Sequence, residues 1–331
     1  MTNKLALTLA SNTGDCQQLI DEAVKAEQLG YDSVWFADTG YPDPLTLAGQ
    51  VAAATTSVDI GIAVVPAYTR TPAVLASSTA TLNEISDGRF ILGLGSSSQR
   101  MIENWHGLPF DKPLGYLRET VTLLRGMLAG EKSSFEGSHL TSKGFRIKPC
   151  EHPPRIYLAA LRGKMLELAA EIGDGVVLNL FPESALPKML EHIAIGAERG
   201  GKSIDDIDIV VRYQLACADD TAAEMDMFRA FYGPYYATPV YNKFLEWCGY
   251  TDVAAAIRAG WAAKDRERTA AAMTEALISE IAVIGDRDTC QARLRRDVAA
   301  GVNTVMITPV TVDDAKRTAM IDDFSPKAFT L

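Results

Sequence analysis

The sequence predicts a (β/α)8 (TIM) barrel, elaborated by a helical insertion between its seventh and eighth strands. Three observations lead there. Short apolar runs alternate with amphipathic helical stretches along most of the 331 residues. The runs are continuous rather than polar at every second position, as strands of a parallel sheet covered by helices must be. They number eight, the count at which such a sheet closes on itself.

The elements follow in order. KLALT (4–8) is the first strand. A helix over 15–29 places Leu19, Ile20, Ala23, Val24 and Leu29 on one face, and Gly30 ends it in the usual helix-stop position. SVWFA (33–37) is the second strand and 44–54 its helix; DIGIAVV (59–65) is the third strand, and 72–85 its helix, opened by a proline. FILGL (90–94) is the fourth strand, followed after a longer stretch by a helix at about 114–128. RIYLAA (155–160), GVVLN (175–179) and DIVVRYQLA (208–216) are strands five to seven, with helices at 164–172 and 183–199. A helix over 286–300 leads to the eighth strand, NTVMIT (303–308).

Residues 1–331 thus read as a single barrel domain with two excursions, 108–151 and 219–280. The second is helical and aromatic-rich, with Phe228, Phe231, Tyr232, Tyr235, Tyr236, Tyr241, Phe244, Trp247, Tyr250 and Trp261. It packs on itself or on a second subunit, or it covers the barrel mouth; the two readings are compatible.

Composition narrows the function. The balance of 32 basic against 42 acidic side chains, net charge −10, with no basic run, argues against a nucleic-acid partner. No apolar run reaches the roughly 18 residues a membrane helix needs, and no convincing export signal is present. The five cysteines are scattered with no CxxC pair, so neither a disulfide framework nor a zinc site is signalled, and a reducing cytoplasm fits best. The four histidines show no metal-binding spacing.

Barrel enzymes carry their chemistry at the C-terminal ends of the strands. Here those positions hold Thr8; Asp38 and Thr39; Val64, Val65 and Pro66 with Tyr68 and Arg70 beyond; Ser96, Ser97, Ser98 and Arg100; Arg162, Gly163 and Lys164; and Asn179. The set is polar but poor in acids and bases. It holds no glycosidase carboxylate pair and no Ser-His-Asp arrangement, and GLGSSS lacks the residues of a Walker or dinucleotide loop. Such a site suits a reaction in which a bound cofactor carries the chemistry. Arg162-Gly163-Lys164 opens a helix directly after a strand, where backbone N–H groups, the helix dipole and two cations suit a phosphate; the other reading is an ordinary βα turn with solvated charges.

The stretch GIAVVPAYTRTPAVLASSTATLNEISDGRFILGLG (61–95) resembles the signature of the bacterial luciferase-like monooxygenase superfamily. GYDSVWFAD (30–38), IYLAALRGKMLELAAEIGDGVVLN (156–179) and IGDRDTCQARLRRDVAAGVNTVMITP (284–309) agree in order. The chain is most similar to the coenzyme F420-dependent branch that includes the methylenetetrahydromethanopterin reductases. The resemblance implies a luciferase-like (β/α)8 barrel, an F420 deazaflavin or, alternatively, FMN across the strand ends, and a homodimer. It also implies a non-prolyl cis peptide between Ala63 and Val64, forming a bulge behind the ring. Matched residue by residue, Asp38 borders the ring pocket, Ser96 and Ser97 lie near the cofactor tail with Ser98, and Gly163 and Lys164 form the phosphate-holding turn, with Arg162 where the family usually has glycine.

The acid/base residues of the characterised branches are absent. Thr8 and Ser98 stand where pterin reductases carry acids, and Thr39 where a sugar-phosphate dehydrogenase branch has histidine. The leading expectation is therefore a deazaflavin-dependent oxidoreductase that exchanges a hydride with a small-molecule substrate of unassigned identity. Thr8, Thr39 and Ser98 are its candidate catalytic residues, with Tyr68 and His106 beside them. The cofactor-binding candidates are Asp38, Ala63, Val64, Ser96, Ser97, Arg162, Gly163, Lys164 and Asn179. Arg70, Arg100, Arg162 and Lys164 would supply a local positive mouth on an acidic body. An FMN-dependent monooxygenase and a non-catalytic flavin-binding protein are the alternatives.

Overall fold

The computed structural model describes residues 3–9 and 15–331. Eight parallel strand positions close into a barrel. They are β1 (Lys4–Thr8), β2 (Ser33–Phe36), β3 (Asp59–Ile62) continued by β4 (Val65–Pro66), β5 (Phe90–Gly95), β8 (Arg155–Ala159), β9 (Gly175–Asn179), β10 (Asp208–Cys217) and β12 (Thr304–Pro309). The ring closes where β1 pairs with β12 in the register Leu5↔Val305 and Leu7↔Ile307. Two short strands intervene in sequence, β6 (Ser134–Glu136) and β7 (Thr141–Lys143), which form an antiparallel hairpin off the barrel. A further strand, β11 (Val283–Gly285), extends the far end of β10.

The helices that follow the strands start and stop where local chemistry dictates. In α1 (Cys16–Leu29), Asp15 caps the Gln18 N–H, and Gly30 closes the other end in the left-handed conformation, φ 87°. α2 (Pro44–Ala54) and α3 (Pro72–Ile85) open with a proline behind the capping residues Asp43 and Thr71. α4 (Pro113–Leu128), α5 (Gly163–Ile172) and α6 (Leu186–Arg199) complete the middle of the ring. The excursion 108–151 therefore contains a barrel helix, α4, followed by the β6–β7 hairpin.

One inward side chain from each of seven strands fills the barrel centre: Ala6, Trp35, Ile91, Tyr157, Val177, Val210 and Met306. The third strand contributes Gly61 instead, because the Trp35 ring lies where its Cβ would stand, 2.3 Å away. Below this layer Asp208 accepts hydrogen bonds from Tyr157 Oη at 2.8 Å and Thr304 Oγ1 at 2.7 Å. The barrel is packed through its middle, leaving chemistry to the rim.

Between β10 and β12 runs the helical insertion: α7 (Ala222–Tyr236), α8 (Pro239–Trp247), α9 (Thr251–Ala262), α10 (Arg266–Ala271) and α11 (Glu275–Ile281). It buries its own apolar cluster around Phe228, Tyr236, Leu245, Ile257 and Ile278, together with Leu180 and Ala216 from the barrel. It is thus both self-packed and seated on the barrel. Two tyrosine hydroxyls tie α7 to the strand ends: Tyr236 donates to the Leu180 carbonyl at 2.6 Å, and Tyr232 to Gln214 Oε1 at 2.8 Å. α12 (Arg287–Ala299) and α13 (Asp314–Asp323) finish the chain.

Candidate active site

The third strand breaks where the sequence reading had it continuous. The Ala63–Val64 peptide is cis, and it separates β3 from β4. The displaced backbone leans on β5, which is built to receive it. A Cβ on Gly93 would lie 1.8 Å from the Ile62 carbonyl oxygen, and one on Gly95 2.6 Å from Val64 Cγ2. The two glycines of FILGLG therefore make room for a shelf of Ala63 and Val64 on this side of the rim.

The opposite side of the rim has another character. Strands β9, β10, β12 and β1 are consecutive around the ring, and their inward positions at this height are Asn179, Arg212, Gln214, Thr308 and Thr8. Arg212 Nε donates to Thr308 Oγ1 at 3.0 Å, and Thr308 donates in turn to Thr8 Oγ1 at 2.9 Å. Gln214 Nε2 donates to Asn179 Oδ1 at 3.2 Å while its carbonyl oxygen takes the Tyr232 proton. Thr8 and Thr308 are buried, 2% and 6% exposed. The arc contains no carboxylate and no imidazole.

Burial lowers the Arg212 pKa from the usual arginine value; the nearby Tyr232, Tyr235 and Tyr241 pull it back up only partly. Burial likewise raises the phenols of Tyr232 and Tyr241, so they stay neutral. Arg212 makes no ion pair among the described residues, and its Nε is bonded to Thr308.

The other expected residues divide. Asp38 lies beyond β2, but its Oδ2 accepts from Arg70 Nη1 at 2.7 Å, and the same guanidinium bonds Asp43. Asp43, rather than Asp38, caps α2 by accepting from the Thr46 N–H at 2.8 Å. Arg70, expected to contribute to a positive mouth, is thus paired with two carboxylates. Thr39 is exposed in the same loop. Ser96, Ser97 and Ser98 follow β5; Ser97 is left-handed at φ 62°, and Ser98 Oγ accepts from the Met101 N–H at 3.3 Å, opening a π-helical turn at Met101–Trp105. The Tyr68 proton is donated to the Asp111 carbonyl at 2.6 Å, with its ring stacked on Tyr116, and His106 is exposed at the end of the π turn.

After β8, Arg162 precedes α5 in an extended conformation and its side chain caps nothing. The first-turn N–H groups of Gly163 and Lys164 face outward as at any uncapped helix start. Lys164 Nζ pairs with Glu167 at 2.8 Å, and Glu167 also holds His192 and Arg199. Of the four cations expected at the mouth, Arg70 and Lys164 are therefore carboxylate-paired. Among the described residues no group of His, Cys, Asp and Glu is arranged to hold a metal ion, and no helix is long and apolar enough to cross a membrane.

Residues 2–304 match the family model for luciferase-like monooxygenases. The chain belongs to that family. Its luciferase-like barrel is 30% identical over 300 residues, 89% of this chain and 91% of the relative, to 5,10-methylenetetrahydromethanopterin reductase of Methanolobus tindarius. It is 28% identical over 322 residues, 89% and 92% of the two chains, to a putative coenzyme F420-dependent oxidoreductase of Mycobacterium tuberculosis. The solved structure of the coenzyme F420 dependent tetrahydromethanopterin reductase from Methanopyrus kandleri superposes with a TM-score of 0.85 over the whole of both chains, at 23% identity. This luciferase-like chain is accordingly an oxidoreductase.

Arg212, Gln214 and Thr308 escaped the sequence reading, which looked just past each strand. β10 runs ten residues, so its rim residues lie inside the apolar run. The available signal was the polar alternation at 212 and 214 within DIVVRYQLA.

Proposed function

We propose that this chain is an F420-dependent oxidoreductase that exchanges a hydride between C5 of the deazaflavin and a small organic substrate. The observation that carries the reading is the two-sided rim. One side offers an uncharged shelf, Ala63 and Val64 backed by Gly93 and Gly95, against which a flat ring can lie. The other offers an arc of hydrogen-bond donors with no acid–base pair. A site so equipped can bind and orient, and the redox chemistry has to come from a bound group. The relation over 89% of the chain to a relative named as a putative coenzyme F420-dependent oxidoreductase supports the deazaflavin.

The residues present fit that coenzyme. The shelf would back the ring, Ser96 and Ser97 would flank the tail, and the uncapped turn at Arg162, Gly163 and Lys164 would take its phosphate. When bound, the coenzyme supplies a two-electron hydride donor or acceptor. The protein's part is positional. The Arg212–Thr308–Thr8 relay leaves the Thr8 Oγ1 proton without an acceptor among the described residues, so Thr8 can donate to a substrate oxygen. The insertion, held down by Tyr232 and Tyr236, excludes water from the exchange.

Titration with F420 and with FMN, followed by the absorbance of each, tests the reading. F420 is expected to bind at least roughly tenfold tighter. Tighter FMN binding, with oxygen consumption when reduced FMN is supplied, would overturn it in favour of a monooxygenase.

A further inference from the structure

The donor arc has a stereochemical peculiarity that hydride exchange alone does not require. Each of its side-chain oxygens already accepts a hydrogen bond. Thr308 Oγ1 accepts from Arg212, Thr8 Oγ1 accepts from Thr308, Asn179 Oδ1 accepts from Gln214, and Gln214 Oε1 accepts from Tyr232. What remains pointing nowhere among the described residues is a set of donors: the Nη1 and Nη2 groups of Arg212, the Asn179 amide nitrogen and the Thr8 hydroxyl. Asn179 and Arg212 are direct register partners on adjacent strands, and Arg212 is bonded to Thr308 across the next pair of strands. The donors therefore form one continuous patch.

Among the described residues no carboxylate compensates the charge of that patch. Removing a guanidinium from water is costly unless an anion faces it. The titratable groups that bear on Arg212 are phenols, not carboxylates. By contrast Arg70, Arg155, Arg293 and Arg317 each have an acidic partner. Arg212 is a largely buried arginine at the rim left for a ligand to neutralise.

We propose that Arg212, with Asn179 and Thr8, forms an anion subsite that holds a carboxylate of the substrate. This rests on the function proposed above. A carboxylate matches the guanidinium fork with two parallel hydrogen bonds; a neutral carbonyl would leave the charge unmet. The coenzyme's phosphate would be taken elsewhere, at the turn after β8, and the shelf lies on β3 to β5, three to four strands around the ring from β10. An anionic substrate also gives the patch a purpose in a protein of net charge −10, where the overall field repels anions and only a local cation can retain one.

The probe is hexanoate, with hexanamide as its neutral isostere, titrated calorimetrically into the F420-loaded protein. Hexanoate is expected to bind at least roughly tenfold tighter than hexanamide. Arg212→Met is expected to erase that preference while the F420 dissociation constant, read by absorbance, stays within about twofold. Arg212→Lys restores part of the preference, because charge returns without the fork. Asn179→Asp, which gives Arg212 an internal carboxylate, also abolishes hexanoate binding and serves as the second variant should Arg212→Met not fold. Equal binding of the two probes, or none of either, overturns the proposal. So does loss of F420 affinity in Arg212→Met, which would assign the arginine to the coenzyme. If the native protein binds no F420, the proposed function falls, and the hexanoate titration of the coenzyme-free protein still decides the subsite.

Discussion

The Tyr232 hydroxyl, on the first helix of the insertion, donates to Gln214 Oε1 on the seventh barrel strand at 2.8 Å. This one bond couples the cover to the floor. Gln214, thus fixed, points its amide nitrogen at Asn179. Tyr232→Phe removes the donor and leaves a largely buried amide oxygen unpaired, at an expected cost of about 1 kcal/mol in urea unfolding. The local effect is expected to be larger. Hydrogen exchange in α7 should accelerate, more so when combined with Tyr236→Phe, since that residue makes the second tie, to Leu180. Unchanged exchange in the double variant would show that apolar packing alone seats the insertion.

Thr8 is the end of a donor relay rather than an isolated hydroxyl. Arg212 polarises Thr308, and Thr308 polarises Thr8, so the last proton is a better donor than a lone threonine's. Thr8→Val keeps the shape and removes the donor. It is expected to weaken hexanoate binding to the F420-loaded protein roughly tenfold, with F420 affinity unaltered. Thr8→Ser is expected to behave as the native protein. A valine variant that binds the probe normally would make Thr8 a packing residue.

These relationships mark where the sequence was legible. Parallel barrel strands are buried on both faces, so SVWF and GVVLN announce themselves as apolar runs. The alternation then fixes the closed barrel without any tertiary knowledge. Helix limits followed from Asp15, Pro44, Pro72 and Gly30 because capping is local chemistry. What escaped was whatever depends on chains meeting across the ring. Nothing in the neighbourhood of Arg70 announces that Asp38, thirty-two positions away, would neutralise it. Nor does NTVMIT reveal that Thr308 joins Thr8 across three hundred residues. The break at Ala63–Val64 came from the family resemblance, since residue preference gives no sign of it.

The shelf depends on two glycines. At Gly93 an added Cβ would stand 1.8 Å from the Ile62 carbonyl oxygen, a backbone atom that cannot swing aside. Gly93→Ala must push β3 off its course. A loss of about 3 kcal/mol or more in stability is expected, with F420 binding weakened at least roughly tenfold. Gly49→Ala is the control. Its Cβ would meet Leu82 Cδ2 at an ordinary 3.6 Å inside α2, so it is expected to leave F420 binding intact and to stabilise slightly, by up to about 1 kcal/mol. Identical coenzyme affinity in the two variants would disconnect the shelf from the ring.

The last expectation concerns the phosphate turn and acid. Glu167 is buried, 3% exposed, and gathers Lys164, His192 and Arg199 beneath the start of α5. The Lys164 hydrogen bond foremost, then those of Arg199 and His192, hold its carboxyl at about 2, against an ordinary value of 4.5. A carboxylate whose pKa is lowered on folding stabilises the protein fully above its unfolded value, and that contribution drains away as pH falls towards the folded value. The window here runs from about 4.5 down to about 2. Glu167→Gln keeps the size and removes the charge, so at pH 7 it is expected to be less stable than the native protein by about 1–3 kcal/mol. Denaturant unfolding of both proteins at a series of pH values should show the gap constant from neutrality to about pH 5 and narrowing below it. A gap that widened with acid, or none at neutrality, would mean that Lys164, Arg199 and His192 do not hold Glu167 as a carboxylate in the folded protein.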